Sequence, residues 1–224
     1  VAVQRGPARL NTGREFMKIY EPYFDPKTHI YHSPDGMRLE GTTDILQGEL
    51  GGFDGFPESA AMRGHDVHAA IQYWNEGDLD ESTLTDEVKG YLDCFKRAKE
   101  HHGIKIIQNE IMRYHPKYLY AGRMDSIVEI GGVLGVVDYK TGGPDKRNKW
   151  QLSLYLELIR SEIPHIKGRW NLYLKPCKYK DGCGFFLEEH TGSRDFQEAL
   201  ALFTAYTIKK NNGYIKEKRK IVSD

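Results

Sequence analysis

Several features that mark specialised classes of protein are scarce or missing in this sequence. It contains only three cysteines among 224 residues, which excludes a fully paired disulfide framework and predicts reduced thiols. No apolar run has the length needed to cross a bilayer, and the N-terminus lacks the layout of a secretory signal. We therefore expect an intracellular protein with no membrane partner.

Neither sign of charge dominates, because 32 Lys and Arg residues balance 32 Asp and Glu residues. This balance excludes a chain coated with positive potential, but it does not exclude local binding of DNA. An acidic stretch from Glu76 to Glu87 contrasts with a basic tail. Two interpretations of the tail stay open: a solvated helix end followed by a frayed terminus, or a contact with phosphates. The tail contains Lys209, Lys210, Lys216, Lys218, Arg219 and Lys220.

No repeat, low-complexity segment or Pro/Gly/Ser-rich linker divides the chain. We expect residues 1–19 to be a flexible or expression-derived N-terminal segment. Residues 20–224 are expected to form a single domain, in which residues 20–57 make a hairpin or lid. The sequence also lacks a Gly-rich loop before a Lys-Ser/Thr pair, so we expect no ATP site.

The spacing of apolar residues predicts the order of secondary structure. Helical periodicity predicts helices over Glu58–Trp74, Thr85–His101, Lys149–Arg160 and Ser193–Lys210. Alternation and turn signals predict strands over Lys105–Tyr114, Tyr118–Ile130, Val133–Lys140, Gly168–Lys175 and Gly184–His190. The third strand begins with a continuous apolar run, which is typical of a strand covered on both faces. This order predicts an α/β domain with a central mixed sheet flanked by helices.

Acidic residues in two neighbouring predicted strands indicate a site. Asp138 and Lys140 end the most apolar strand, and their two-residue spacing places both side chains on one face. Taken alone, they are better explained as a strand-end ion pair, because Asp-x-Lys occurs often by chance. Asp125, however, falls within the preceding strand, where a buried acid without a partner is costly. A hairpin would bring it beside Asp138, and two such carboxylates favour a divalent cation, for which oxygen ligands suit Mg²⁺ or Mn²⁺.

Glu110 repeats this pattern one strand earlier. Its parity places it with Ile104, Ile106 and Met112 on an otherwise apolar face. A surface position for this glutamate would require a break in register. We therefore expect Glu110 to belong to the site.

Three segments together resemble the RecB-like branch of the PD-(D/E)XK nuclease superfamily. They are Ala121–Asp125, Gly135–Gly142 and Gln151–Tyr155, which resemble the G-x-x-D, D-x-K-T-G and Q-x-x-x-Y motifs of that branch. Upstream, Arg63–His68 resembles its first-helix motif. The leading segments Lys27–Gly36 and Thr42–Leu46 are similar, less specifically, to those of small phage-type and organellar exonucleases. The resemblance covers about Tyr20 to Tyr173 and implies a restriction-endonuclease-like core.

Carried onto these positions, the resemblance implies a role for each residue of the site. His68, Asp125, Asp138 and the backbone carbonyl of Tyr139 would hold one Mg²⁺ or Mn²⁺ ion. Lys140 would orient or help deprotonate the attacking water and stabilise charge on the phosphate. Glu110 would support a second ion or position that water, so that Glu110, Asp125, Asp138 and Lys140 form the catalytic set.

Other candidate residues carry alternative readings. Gln151 and Tyr155 are one helical turn apart, so they either pack the helix or, as the resemblance implies, orient DNA and Lys140. His65 is expected to be a packed or solvent-facing residue, because no third ligand with zinc-like spacing follows it. The cysteines do not supply the four ligands of an iron–sulfur cluster, so none is expected. Aromatic residues of the leading region either pack the hairpin or stack on unpaired bases: Tyr20, Tyr23, Phe24, Tyr31, Phe53 and Phe56.

These observations predict a metal-dependent nuclease that hydrolyses DNA phosphodiester bonds. The resemblance implies an exonuclease acting on single-stranded or double-stranded DNA ends, in replication, recombination or repair, with a recombination or replication protein as a possible partner. It also implies a location in the cytoplasm of a bacterial or phage-infected cell or in an organelle matrix. Two alternatives stay open. One is a DNA endonuclease of the same fold, and the other is a non-catalytic DNA-binding or assembly module, against which the intact set of His68, Asp125, Asp138 and Lys140 argues.

Overall fold

The structure is a computed structural model that describes residues 20–51, 57–176 and 184–215. Residues 1–19, Phe53, Phe56 and the tail from Lys216 onward, about which the sequence makes predictions, lie outside these ranges. Two of the three cysteines predicted to be reduced, Cys177 and Cys183, also lie outside them. The third cysteine, Cys94, is buried, and its thiol donates to the carbonyl oxygen of Lys175 at 2.9 Å. Within the described ranges, none of the helices has the length and apolar character to span a membrane.

Helices and strands alternate much as the sequence predicts, after a leading region of short elements. The helices are α1 (Thr42–Leu50), α2 (Glu58–Glu76), α3 (Asp86–His101), α4 (Asn148–Arg160) and α5 (Asp195–Asn211). The strands are β1 (Tyr23–Asp25), β2 (Ile30–His32), β3 (Arg38–Gly41), β4 (Lys105–Tyr114), β5 (Tyr120–Ile130), β6 (Val133–Lys140), β7 (Gly168–Lys175) and β8 (Gly184–Glu189). The acidic stretch between α2 and α3 includes a single 3₁₀ turn, Glu81–Thr83.

Local sequence signals explain several element ends. Thr85 begins α3 as predicted, because its hydroxyl accepts from the backbone N–H of Val88 at 3.3 Å. α2 ends at Gly77, whose φ of 76° is a left-handed conformation that glycine adopts without strain. The leading region contains the expected hairpin, β1 with β2, but Thr42–Leu50 forms a helix that the sequence did not predict.

An eight-stranded sheet lies at the centre of the described chain. One edge of β5 is antiparallel to β4, whereas its other edge pairs in parallel with β3 at Tyr120–Ala121 and antiparallel with β6 over Ser126–Ile130. β6 also pairs in parallel with β7 as far as Lys140, and β7 pairs with β8. β5 and β6 are therefore paired at Ser126 and Val137 but part at Asp125 and Asp138. This fork in the sheet positions the site.

Helices cover both faces of the sheet, each over its own apolar core. α2 and α3 pack on one face, where Phe95 and Leu92 are almost fully buried against Val137 and Leu172. α4 and α5 pack on the other face, on a core that includes Tyr120 and is continuous with α1 through Ile45. The predicted α/β fold with a central mixed sheet flanked by helices is confirmed. β6 is buried through its middle, as its continuous apolar run indicates.

Candidate active site

The site begins at the fork, where β5 and β6 are no longer paired. There the Asp125 side chain takes the place of a backbone acceptor. The backbone N–H of Tyr139 donates to Asp125 Oδ2 at 2.7 Å, and the carbonyl oxygen of Tyr139 lies 2.8 Å from His68 Nε2. The other imidazole nitrogen, Nδ1, lies 3.2 Å from Asp125 Oδ1. Asp125, Tyr139 and His68 thus form a closed ring of contacts that joins β5, β6 and α2.

Glu110 completes a group of donor atoms with His68 and Asp125. Ligand atoms of these three side chains all lie within 4.8 Å of one another. Glu110 has a φ of 48°, which is uncommon for a residue with a side chain. β4 does contain a register break, between Ile106 and Gln108, yet the Glu110 side chain is only 21% exposed. Glu110 is therefore largely buried at the site, although the side chains along β4 do not alternate strictly between the two faces of the sheet.

The donor set suits a hard divalent cation. One imidazole nitrogen, two carboxylates and the nearby carbonyl oxygen of Tyr139 converge from three strands and one helix. Oxygen-rich sets of this kind favour Mg²⁺ or Mn²⁺, whereas thiolate ligands would favour softer metals. Within the described residues, no other group of three His, Cys, Asp or Glu side chains gathers in this way.

Asp138 and Lys140 lie at the same fork but are paired with each other. Lys140 Nζ is 2.6 Å from Asp138 Oδ2 and also donates to Gln151 Oε1 at 3.1 Å. Gln151 Nε2 in turn donates to the hydroxyl of Tyr155 at 3.0 Å. The side chain of Asp138 is therefore held at the edge of the gathered donor set rather than within it, and α4 contacts Lys140 through Gln151.

Burial and neighbouring charges shift the pKa values of the site. Burial raises the pKa of Glu110, and the charge of Asp125 adds to this, giving a value of about 7. For His68, burial lowers the pKa, but the charge and hydrogen bond of Asp125 outweigh it and raise the value to about 9. Burial also raises the pKa of Asp138, against the opposing effect of Lys140. The shifted pKa values of His68, Glu110 and Asp138 indicate that charged groups are crowded here, which is typical of a site that binds a cation.

A cleft of about 970 Å³ gives access to the donor set. One wall is the face of α2 that carries Gly64, His68 and Tyr73, and the opposite wall is the turn from Thr141 to Asp145 that follows β6. His65 also faces the cleft, with a largely exposed side chain that pairs only with Asp66 among the described contacts. This is the solvent-facing position expected for it.

Arg123 lines the cleft and contacts the aromatic hairpin. Arg123 Nε lies 3.7 Å from Glu110 Oε2, and its guanidinium stands 5.2 Å from the centre of the Phe24 ring. Tyr20 packs on Tyr114, and Phe24 packs on Tyr31, whereas Tyr23 is 64% exposed. The packing interpretation therefore describes most of these aromatic residues.

Sequence reasoning missed a set of buried polar residues beneath the site. The hydroxyl groups of Ser126 and Tyr139 lie 2.8 Å apart, and Ser126 donates to Asn109 Oδ1 at 2.9 Å. On the far side of Asp138, Asn171 donates from Nδ2 to Asp138 Oδ2 at 3.0 Å. Ser126 and Asn109 each adjoin an acidic residue of the site in sequence, which is a signal that could have found them. Asn171 has no such signal, because it lies in β7, which is separated from Asp138 in the sequence by α4.

Comparison with known proteins identifies the fold but no family. No family model matches the chain, and none of the curated proteins is similar to it. A candidate exonuclease from Eubacterium rectale shares 14% identity over 83% of this chain and 86% of its own, with a TM-score of 0.52. An alkaline exonuclease from Laribacter hongkongensis shares 10% identity over 78% of this chain and 89% of its own, with a TM-score of 0.42. The first of these likenesses shows a shared α/β fold.

Proposed function

We propose that this protein is a metal-dependent nuclease that hydrolyses phosphodiester bonds in DNA and acts as an exonuclease on DNA ends. One observation carries the proposal: His68, Glu110 and Asp125 gather their ligand atoms within 4.8 Å of one another beside Lys140, in an open cleft. The segments that resemble the RecB-like PD-(D/E)XK motifs support the proposal, because they contribute Asp125, Lys140 and Gln151 to this region. A fold shared with a candidate exonuclease supports the same class.

The chain would hold Mg²⁺ or Mn²⁺ through His68, Glu110, Asp125 and the carbonyl oxygen of Tyr139, with Asp138 as a further ligand. When bound, such an ion supplies the positive charge that phosphodiester hydrolysis needs near the scissile phosphate. Charge crowding within the donor set would be relieved by the same positive charge. The zero net charge of the chain is therefore compatible with an anionic substrate.

Lys140 would act on the attacking water and the phosphate. Its side chain is a quarter exposed, and its ammonium group contacts Asp138 on one side and Gln151 on the other. These two contacts hold the ammonium group beside the cleft, from where it could move toward a water molecule and orient it. It can also stabilise charge that develops on the phosphate. Gln151 and Tyr155 would position Lys140 and the DNA backbone.

Action on ends rests on the resemblance to small phage-type and organellar exonucleases. Such an enzyme would work on DNA in replication, recombination or repair inside a cell or organelle, with single-stranded or double-stranded ends as substrates. Any unwinding of the duplex would have to come from a partner protein, since the sequence carries no phosphate-binding loop for ATP. We assign no iron–sulfur cluster to the site.

End-labelled linear single-stranded, linear double-stranded and closed-circular DNA test the proposal directly. Each substrate is incubated with the wild-type protein in Mg²⁺, in Mn²⁺ and in chelator, and in parallel with Asp125→Asn. We expect metal-dependent loss of the linear substrates alone and no loss with the variant. Asp93→Asn, an exposed change on α3, serves as the matched control and should cut like the wild-type protein.

The two alternatives give different results in the same assay. Cutting of closed-circular DNA would replace the exonuclease with an endonuclease of the same fold. Binding of DNA with no cleavage in either metal would replace it with a binding or assembly module.

A further inference from the structure

A buried amide lies directly behind the acidic residue of the D-x-K motif. Asn171 is paired with Asp138 in the parallel β6–β7 register, and it has no exposed surface. Its Nδ2 donates to Asp138 Oδ2 at 3.0 Å, the same oxygen that lies 2.6 Å from Lys140 Nζ. A buried carboxylate needs hydrogen-bond donors to remain charged, and Asn171 is a neutral donor for it.

His190 fixes which way this amide points. Its Nε2 lies 2.7 Å from Asn171 Oδ1, and its backbone N–H is held by the carbonyl oxygen of Arg169 at 2.9 Å. Burial lowers the pKa of His190, so the ring is neutral near pH 7 and only one of its nitrogens can donate. With Nε2–H as that donor, Asn171 must present its carbonyl to His190 and its amide hydrogens to Asp138.

We propose that Asn171 is a positioning residue for Asp138 and that His190 orients it, which rests on the nuclease function proposed above. The contact network gives Asp138 a second donor that does not belong to the cleft. When Lys140 moves toward water or phosphate, Asp138 keeps the hydrogen bond from Asn171. The carboxylate therefore stays in one orientation during the reaction, without following the lysine.

A second path links the same histidine to the mouth of the cleft. Glu188 Oε2 lies 3.7 Å from His190 Nε2 and accepts from the hydroxyl of Tyr173 at 2.8 Å. That hydroxyl accepts from Asn148 Nδ2 at 3.0 Å, and Asn148 lines the cleft. His190 is thus packed among groups that are themselves fixed, which is what an orienting residue requires.

The first test is Asn171→Asp, which keeps the size of the side chain but replaces the donor with a carboxylate oxygen facing Asp138. Mn²⁺ affinity is measured by calorimetry, and kcat and KM are measured on end-labelled DNA. Because supporting residues of metal sites typically contribute at this level, we expect Mn²⁺ affinity and kcat to fall roughly 10- to 100-fold while KM for DNA changes little. Asn212→Asp, an exposed change of the same chemistry beyond α5, should leave all three values unchanged.

The second test separates orientation from packing at His190. His190→Leu removes the donor, whereas His190→Gln keeps an N–H at nearly the position of Nε2. We expect His190→Leu to lose Mn²⁺ affinity and kcat as Asn171→Asp does, and His190→Gln to recover most of both. This pair decides the proposal if Asn171→Asp fails to fold.

Several results would overturn the proposal. Folded Asn171→Asp with wild-type Mn²⁺ affinity and kcat would remove Asn171 from the site, and equal losses in His190→Leu and His190→Gln would reduce His190 to a packing residue. A wild-type protein that binds Mn²⁺ but cuts no DNA would overturn the nuclease function alone, since Mn²⁺ affinity still judges Asn171. A wild-type protein that binds no Mn²⁺ would overturn both.

Discussion

Glu110 lies beside Asp125, and these two residues are not paired in the ladder between β4 and β5. Asn109 pairs with Ser126 and Ile111 pairs with Met124, but Glu110 adopts a φ of 48° instead of extending the ladder. The backbone is strained at this residue, and the strain brings its carboxylate to the donor set. Glu110 and Asp125 therefore face each other as side chains rather than as backbone partners.

Removing the charge of Glu110 should have opposite effects on stability and on metal binding. In Glu110→Gln, repulsion from Asp125 is lost, so the melting temperature in chelator should rise. Mn²⁺ affinity should fall about tenfold or more, because a carboxylate oxygen has been lost from the donor set. Thermal unfolding and calorimetric titration measure the two effects. Glu100→Gln, on the exposed side of α3, is the control, and a variant with unchanged Mn²⁺ affinity would remove Glu110 from the ligands.

The stability of the metal-free protein should fall as pH rises. Folding raises the pKa of Glu110 from 4.5 to about 7 and that of His68 from 6.5 to about 9. The folded state therefore holds both protons more tightly than the unfolded state, and this contribution is lost as pH passes through the two folded values. Glu110 lowers the stability as pH rises from 4.5 to about 7, and His68 lowers it as pH rises from 6.5 to about 9, so melting temperatures measured in chelator should decrease across this whole range. His68→Gln should flatten the upper part of this profile, and a flat wild-type profile would contradict both shifts.

Replacing Lys140 should separate catalysis from DNA binding. In Lys140→Met the ammonium group that contacts Asp138 and Gln151 is absent, while the apolar stem is kept. We expect kcat to fall about 100-fold or more, since a charge aimed at the transition state is lost. DNA affinity, measured by fluorescence anisotropy in Ca²⁺, should stay near the wild-type value. Lys105→Met, at an exposed pair with Glu129, should keep full activity, whereas an active Lys140→Met would exclude Lys140 from the chemistry.

Gly122, in the G-x-x-D motif, should not tolerate a side chain. A Cβ added there would lie 2.6 Å from Cε1 of Tyr155 and 2.9 Å from the hydroxyl oxygen of Thr42. Gly122→Ala should therefore displace Tyr155 and its contact with Gln151, lowering the free energy of unfolding by about 1–3 kcal/mol. Chemical denaturation measures this loss. Gly184→Ala, whose added Cβ would meet Lys175 at 3.7 Å, is the matched control; equal stability of the two variants would contradict the proposed crowding.

The sequence predicts most of the sheet and the helices because their signals are local. Apolar periodicity locates α2 and α3, and the apolar run that begins at Val133 locates the buried strand β6. The helix Thr42–Leu50 was missed because it is short and its burial depends on α5 and α4, which lie far away in sequence.

The sequence predicts which residues belong to the candidate site but not how they are arranged in space. Asp125, Asp138 and Lys140 stand out because charges are rare within buried strands. The positive φ of Glu110 and the fork that gives the N–H of Tyr139 to Asp125 depend on how β5, β6 and β7 meet. The hydrogen bond from Asn171 to Asp138 depends on the parallel pairing of β6 with β7, two strands that α4 separates in the sequence. No local pattern encodes such a contact.

His68 is the one member of the gathered donor set that comes from a helix, and α2 is seated by Val67, Ala70 and Ile71 on the core that it shares with α3. The ability of the site to bind a cation therefore depends on how α2 packs, and it can change although no ligand residue is substituted. A small shift of α2 would move the imidazole relative to the sheet-borne acids. Cation affinity across a series of substitutions at these three positions would then report how the packing of α2 on its core controls the site, although none of the three side chains is itself a ligand.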